Sequence, residues 1–100
     1  MKNIVLLCAA GMSTSMLVKK MEEAAVQSAF ECKIHAHPLA EVKSVATDAD
    51  IILLGPQIRF NLAKVKEQFP QIPVEAIDMA AYGMMNGAKV INRVKELLGE

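Results

Sequence analysis

Cys8 stands at the end of the apolar run Ile4-Val5-Leu6-Leu7 and is followed by Ala9-Ala10-Gly11-Met12-Ser13-Thr14-Ser15. A buried strand that feeds a short loop and then a helix delivers its last side chain to the helix N-terminus, where open parallel sheets bind ligands. Small residues and Gly11 let the backbone curl with successive N–H groups pointing inward, as an anion nest. The helix adds the positive end of its dipole, and Ser13, Thr14 and Ser15 add hydroxyl donors. A thiolate and a phosphoryl group want the same surroundings, so this loop is suited both to activate Cys8 and to hold a phosphoryl group on its sulfur. An ordinary free cysteine simply packs as a small hydrophobe; the position of this one favours chemistry.

The absences in the loop narrow that chemistry. No lysine of a Walker loop is present, which disfavours nucleotide hydrolysis, and there is no Gly-x-Gly-x-x-Gly fingerprint for a dinucleotide. Cysteine-dependent tyrosine phosphatases place an arginine after the five residues that follow their nucleophile, and here Thr14 occupies that position. Without a guanidinium to clamp the transition state, hydrolysis of a phosphocysteine is expected to be slow. An adduct that forms and is not hydrolysed suits a carrier.

The elements that must position the loop alternate along the chain. Ile4 to Leu7 reads as a strand buried on both faces. Leu17, Met21, Ala24, Ala25 and Ser28 repeat at helical spacing, with Lys19, Lys20, Glu22, Glu23 and Gln27 opposite, and Ser13 or Thr14 is placed to cap that helix. Cys32, Ile34 and Ala36 alternate with Lys33, His35 and His37 as an edge strand closed by Pro38. Leu39, Val42, Val45 and Ala46 suit a short helix. Ile51 to Leu54 is a second fully buried strand stopped by Gly55-Pro56, and a helix from near Arg59 ends before Pro70. Val74, Ala76 and Ile77 make a fourth strand ending at Asp78, and Val90, Ile91, Val94, Leu97 and Leu98 line one face of a last helix. Strands alternating with helices imply right-handed βαβ units, hence an α/β fold: a parallel sheet in the order 2-1-3-4, covered by helices on both faces. The 100 residues are expected to form one domain, 1–100.

Composition excludes several classes. Over half of the chain is apolar at 53%, so it is globular and not disordered. Eleven basic residues balance eleven acidic ones with no basic run, which argues against nucleic acid. The apolar run before Cys8 is too short for a signal peptide, and no stretch is long enough to span a membrane. Two distant cysteines make no disulfide scaffold, so a reducing cytoplasm is expected.

The stretches Cys8-Ala9-Ala10-Gly11-Met12-Ser13-Thr14-Ser15, Leu53-Leu54-Gly55-Pro56-Gln57-Ile58, and Ile77-Asp78 with Tyr82-Gly83 and Asn86-Gly87 carry a resemblance that spans the chain. The chain closely resembles the IIB components of the lactose/cellobiose (chitobiose) family of the bacterial sugar phosphotransferase system. That resemblance implies a four-stranded parallel sheet similar to low-molecular-weight tyrosine phosphatases. It also implies that Cys8 accepts a phosphoryl group from a histidine of a cognate IIA protein. Cys8 then passes it to a sugar of the cellobiose, chitobiose or lactose class held by the membrane component IIC. The expected location is cytoplasmic, transiently at the inner face of the membrane, with no cofactor and no metal. The alternative on the same fold is a thiol-dependent phosphatase or arsenate reductase. The missing arginine counts against the first and the lack of a second cysteine near the loop against the second.

Other residues carry two readings each. Gln57 follows the third strand and either shapes the pocket or docking surface or belongs to a Gly-Pro turn. Asp78 ends the fourth strand, as a general acid or as a turn residue bonding its own backbone, the latter favoured. Tyr82 either borders the site or packs. His35 and His37 share a strand face but lack a third ligand for a metal, so solvation is expected. Cys32 is expected in the core, and Met12 and Met16 are placed to offer apolar surface to a partner.

Overall fold

Every residue of Ile4, Val5, Leu6 and Leu7 is buried, and because successive strand residues point to opposite faces, two apolar layers have to cover them. The structure, a computed structural model, describes residues 1–9 and 14–99, with Thr14 by its backbone only. The run extends to β1 (Lys2–Cys8), followed by α1 (Thr14–Gln27), β2 (Cys32–Pro38), a 3-10 turn at Leu39–Glu41 and α2 (Val42–Val45). Then come β3 (Ile51–Leu54), a 3-10 turn at Pro56–Asn61, α3 (Leu62–Gln68), β4 (Val74–Ala76), α4 (Met79–Gly83) and α5 (Gly87–Leu98). The strands are parallel in the order β2-β1-β3-β4, as expected from the sequence.

One layer packs Ile4, Leu6, Ile34, Ile51 and Leu53 against Leu17, Met21 and Ala25 of α1 and Val90, Ile91 and Val94 of α5. The other packs Val5, Leu7, Ile52 and Leu54 against Val42 of α2, Ile58 and Val65 of α3. Each such side chain, fully buried, contributes roughly 1.5–3 kcal/mol. Three details differ from the sequence expectation. The fourth strand, expected to include Ile77 and end at Asp78, stops at Ala76, because Asp78 turns the chain as the N-cap of α4. The helix expected from near Arg59 begins at Leu62, because Gly55-Pro56 opens a 3-10 turn that runs to Asn61. The segment after Asp78, assigned no element from the sequence, forms α4, a helix too short to show a periodicity.

The two helices on the α1 face meet at Gly87. A Cβ there would stand 2.3 Å from the backbone carbon of Lys20 and 2.5 Å from both Lys20 O and Met21 N, so α5 can approach α1 only through a glycine. The opposite end of α1 closes on Ala29, which has a positive φ of 57°. There Ala29 N donates to Val26 O at 3.2 Å and Phe30 N to Ala25 O at 2.9 Å, while Phe30 and Ala25 bury in the same cluster. This is a Schellman closure with an alanine where glycine is unstrained.

Two exchanges of the same pair of residues therefore have opposite signs. Gly87→Ala is expected to lower stability by about 1–3 kcal/mol, because backbone cannot yield to the methyl and the gain in helix propensity is smaller. Ala29→Gly is expected to raise stability by up to about 1 kcal/mol through relief of the left-handed strain. Urea midpoints at constant slope check both, and a stabilised Gly87→Ala protein would refute the close approach.

Candidate functional site

All four strands run in one direction, so their C-terminal ends form one edge of the sheet, and Cys8, Pro38, Gly55 and Ile77 follow or end them there. Cys8 ends β1, paired in register with Pro38 at the end of β2. It is only 2% exposed, and its Sγ donates to the backbone carbonyl oxygen of His37 at 3.7 Å. A thiol is a weak donor, and this bond orients the sulfur toward the edge strand β2. The next residue, Ala9, is an exposed bend. Ala10, Gly11, Met12 and Ser13 lie outside the described residues, as does the side chain of Thr14, and with them the expected anion nest and helix cap. The described chain resumes with Thr14 as the first residue of α1 and with Ser15 and Met16 exposed in its first turn. Fourteen residues of helix run back along the sheet to reach the start of β2 beside Lys2, so α1 begins at the edge where β1 ends. Its positive end faces the region of Cys8.

Gly55 ties the neighbouring strand to this point. Its N–H donates to Leu7 O at 2.8 Å, one residue before Cys8. A methyl built on Gly55 would stand 2.9 Å from Gln57 Oε1, 3.5 Å from Leu7 O and 3.8 Å from Tyr82 Cε2. Gln57, although exposed, thus folds its amide back over the turn, and the buried ring of Tyr82 packs beside the same backbone. The structure brings Gln57 and Tyr82 together at the end of β3, next to the end of β1.

Asp78 has a different task. Its carboxylate accepts from Ala81 N at 3.0 Å, capping α4, and from Lys89 Nζ at 3.4 Å. The backbone bond first, then the Lys89 charge, hold its carboxyl below the usual carboxylate range. A carboxylate held ionised and spent on a cap has no proton to donate near neutrality, which favours the turn role over the general acid. Next to it, Glu75 of β4 receives both Arg93 Nε and Nη2 at 2.8 Å, fastening α5 to the edge strand.

The remaining candidates separate from the site. Cys32 pairs with Lys2 at the far end of the sheet, six residue steps from Pro38, or roughly 20 Å from Cys8. It is half-buried against the α1 layer, and burial, then the Glu22 charge, push its thiol up, which makes it a poor nucleophile. The His35 and His37 rings lie 6.3 Å apart; His35 is exposed, and His37 Nδ1 sits 3.6 Å from Glu41 Oε1. Among the described residues, no three His, Cys, Asp or Glu side chains converge as a metal site. Also among the described residues, no helix is long and apolar enough to cross a membrane.

The Asp78 cap has a pH signature. Since its folded carboxyl ionises more readily than the unfolded one, its contribution is present above the ordinary carboxylate range and is lost as pH falls through the lowered folded value. Asp78→Asn keeps a capping side chain, so stability near pH 7 is expected to change little while the loss in acid becomes shallower. Urea midpoints at neutral and acid pH check this; an unchanged acid slope would refute it.

Comparison with known proteins agrees with this geometry. Residues 3–93 match the family described as PTS system, Lactose/Cellobiose specific IIB subunit. The chain is 41% identical over 100 residues to the oligo-beta-mannoside-specific EIIB component of Bacillus subtilis (strain 168), covering 98% of this chain and 97% of that one. It is 38% identical over 104 residues to the galactose-specific EIIB component of Lactococcus lactis subsp. cremoris (strain MG1363), covering 97% and 96%. The solution structure of a cellobiose-specific IIB component from Borrelia burgdorferi superposes with a TM-score of 0.74 at 42% identity, over 91% of this chain and 85% of that one. The lactose-specific IIB domain from Streptococcus pneumoniae shares the fold, with a TM-score of 0.84 at 19% identity over 95% of both. A cysteine-ended central strand, the 2-1-3-4 sheet and a family match across nearly the whole chain lead to one conclusion: the protein belongs to the lactose/cellobiose-specific IIB family of the sugar phosphotransferase system.

Proposed function

We propose that Cys8 is the phosphoryl carrier of this IIB component, loaded by a histidine of a cognate IIA protein and discharged onto a sugar held by a membrane IIC component. The observation that carries this reading is the placement of Cys8. It ends the central strand, beside the turn at Gly55 and at the sheet edge where α1 begins, in a chain whose relatives are phosphotransferase components over almost their full length.

The transfer proceeds in two displacements. The Cys8 sulfur attacks the phosphorus of the phosphohistidine, the S–P bond forms as the N–P bond breaks, and the thiol proton ends on the departing imidazole nitrogen. A sugar hydroxyl oxygen then attacks the same phosphorus, the S–P bond breaks, and the thiolate leaves while the hydroxyl proton passes to a base or to solvent. The loop from Ala9 to Ser15 supplies donors to the phosphoryl oxygens through its backbone N–H groups and the hydroxyls of Ser13, Thr14 and Ser15. Gln57 and Tyr82 shape the neighbouring wall. The carrier works in the cytoplasm and meets the membrane only through IIC.

The phosphatase and arsenate-reductase alternatives fit less well. Thr14 stands where the phosphatase arginine would, Asp78 is committed to a helix cap, and Cys32 lies at the wrong end of the sheet to resolve a sulfur adduct. Relatives at 38–41% identity are named for galactose, cellobiose and oligo-beta-mannosides, so likeness of the IIB chain does not fix the sugar, and its choice is assigned here chiefly to IIC.

Incubated with phosphoenolpyruvate, the general phosphotransfer proteins and a cognate IIA, the protein is expected to gain one phosphoryl group, lasting many minutes. Intact mass and phosphorus NMR read this directly. Cys8→Ser is expected to fold with a stability, read from urea unfolding, within about 1 kcal/mol of the unsubstituted protein and to remain unlabelled. A labelled Cys8→Ser protein would move the carrier elsewhere, and steady release of inorganic phosphate by the unsubstituted protein would favour the phosphatase.

A further inference from the structure

The transfer at Cys8 leaves one motif unused, Asn86-Gly87. Packing demands each of its residues separately. Asn86 Oδ1 accepts from Lys89 N at 3.1 Å and so caps α5, a place that favours a short polar side chain. Gly87 is where α5 meets the backbone of Lys20 and Met21, and no Cβ fits there. The fold thus sets side by side the two residues most prone to spontaneous loss of an asparagine amide. A following glycine has no Cβ to keep its backbone nitrogen away from the carboxamide. The other asparagines precede bulkier residues: Asn3 stands before Ile4, Asn61 before Leu62 and Asn92 before Arg93.

The native geometry restrains that reaction. Asn86, at φ −83° and ψ 80°, is the centre of an inverse γ-turn in which Gly87 N donates to Met85 O at 3.0 Å. The turn is held from before: Met85 N donates to Tyr82 O at 3.1 Å and Asn86 N to Ala81 O at 2.8 Å, with Met85 at a positive φ of 53°. It is held from behind by Val90, Ile91 and Val94, which bury α5 in the same layer as Leu17 and Met21 of α1. Asn86 itself is exposed to water, whereas Gly87 is buried. The electrophile is accessible; the nucleophile is hydrogen-bonded and enclosed.

We infer that Asn86-Gly87 is a self-modification site whose reaction is gated by the undocking of α5. When α5 lifts from α1, the Gly87 N–H is released to solvent and a base removes its proton. The nitrogen then attacks Asn86 Cγ and closes a succinimide ring. The Cγ–Nδ2 bond breaks, and ammonia leaves with the proton that Gly87 lost. Water opens the ring at either carbonyl. Addition at Cγ leaves an aspartate at position 86, while addition at the backbone carbonyl leaves an isoaspartate, whose main chain is longer by a methylene. Aspartate keeps the capping oxygen and adds a charge that the helix N-terminus favours. Isoaspartate lengthens the chain where α5 has no clearance against Lys20, so α5 loses its register on α1.

The test incubates the full chain at mildly alkaline pH, folded in buffer and unfolded in guanidinium chloride. Peptide mass and enzymatic methylation of isoaspartate follow position 86. The unfolded chain is expected to convert there before its other asparagines, and about a hundredfold faster than the folded chain, because a buried helix opens rarely. Asn86→Ser keeps a cap and has no amide to lose, so it is expected to form no isoaspartate at that position. Isolated after ageing, the isoaspartyl form is expected to unfold at lower denaturant than the unsubstituted protein, whereas Asn86→Asp is expected to match or exceed it. Equal rates in the folded and unfolded chains overturn the gate. First conversion at another asparagine, or isoaspartate persisting in Asn86→Ser, overturns the site. Coincident unfolding of the isoaspartyl form and Asn86→Asp overturns the loss of register.

Discussion

The backbone of β1 is paired along both edges, to β2 and to β3, while Ile4 and Leu6 bury on one face and Val5 and Leu7 on the other. A strand enclosed in four directions can reach a reaction partner only at its end. Cys8 occupies that end, still 2% exposed and oriented by the His37 carbonyl. Reactivity at this sulfur therefore depends on the loop and rim around it. The enclosure also makes the position rigid: moving Cys8 would require β1 to slide against two ladders and two apolar layers, with each strand residue shift inverting which side chains face which layer.

The covering helices inherit their positions from that strand. On one face α1 and α5 reach each other through Gly87, where backbone meets backbone and no methyl fits. Around the rim, polar groups that look catalytic are spent on structure. Asp78 caps α4, Asn86 Oδ1 accepts from Lys89 N at the start of α5, and Glu75 is taken by Arg93. Among the described residues at this edge, the carboxylates of Asp78 and Glu75 are thus engaged in structure, which is consistent with the carrier role proposed for Cys8.

Residue order alone determined the strands and their sequence in the sheet, and it singled out Cys8 as the residue to examine at their end. Ile4 to Leu7 and Ile51 to Leu54 are apolar without interruption, which only a doubly covered strand allows, and right-handed crossovers then leave little freedom in topology. Cys8 was legible because it follows such a run and precedes small residues and hydroxyls. Tertiary structure decided the rest. The cap role of Asp78 required α4, five residues too few to print a helical period, and the start of α3 at Leu62 depended on the turn that Gly55-Pro56 imposes. The close approach at Gly87 involves Lys20, sixty-seven positions away, and a groove joins Phe60, between β3 and β4, to Met79 and Tyr82, which follow the last strand. Periodicity reports which face of one element is apolar; it carries no information about which elements meet, and sites made by that meeting appear only when the chain has folded.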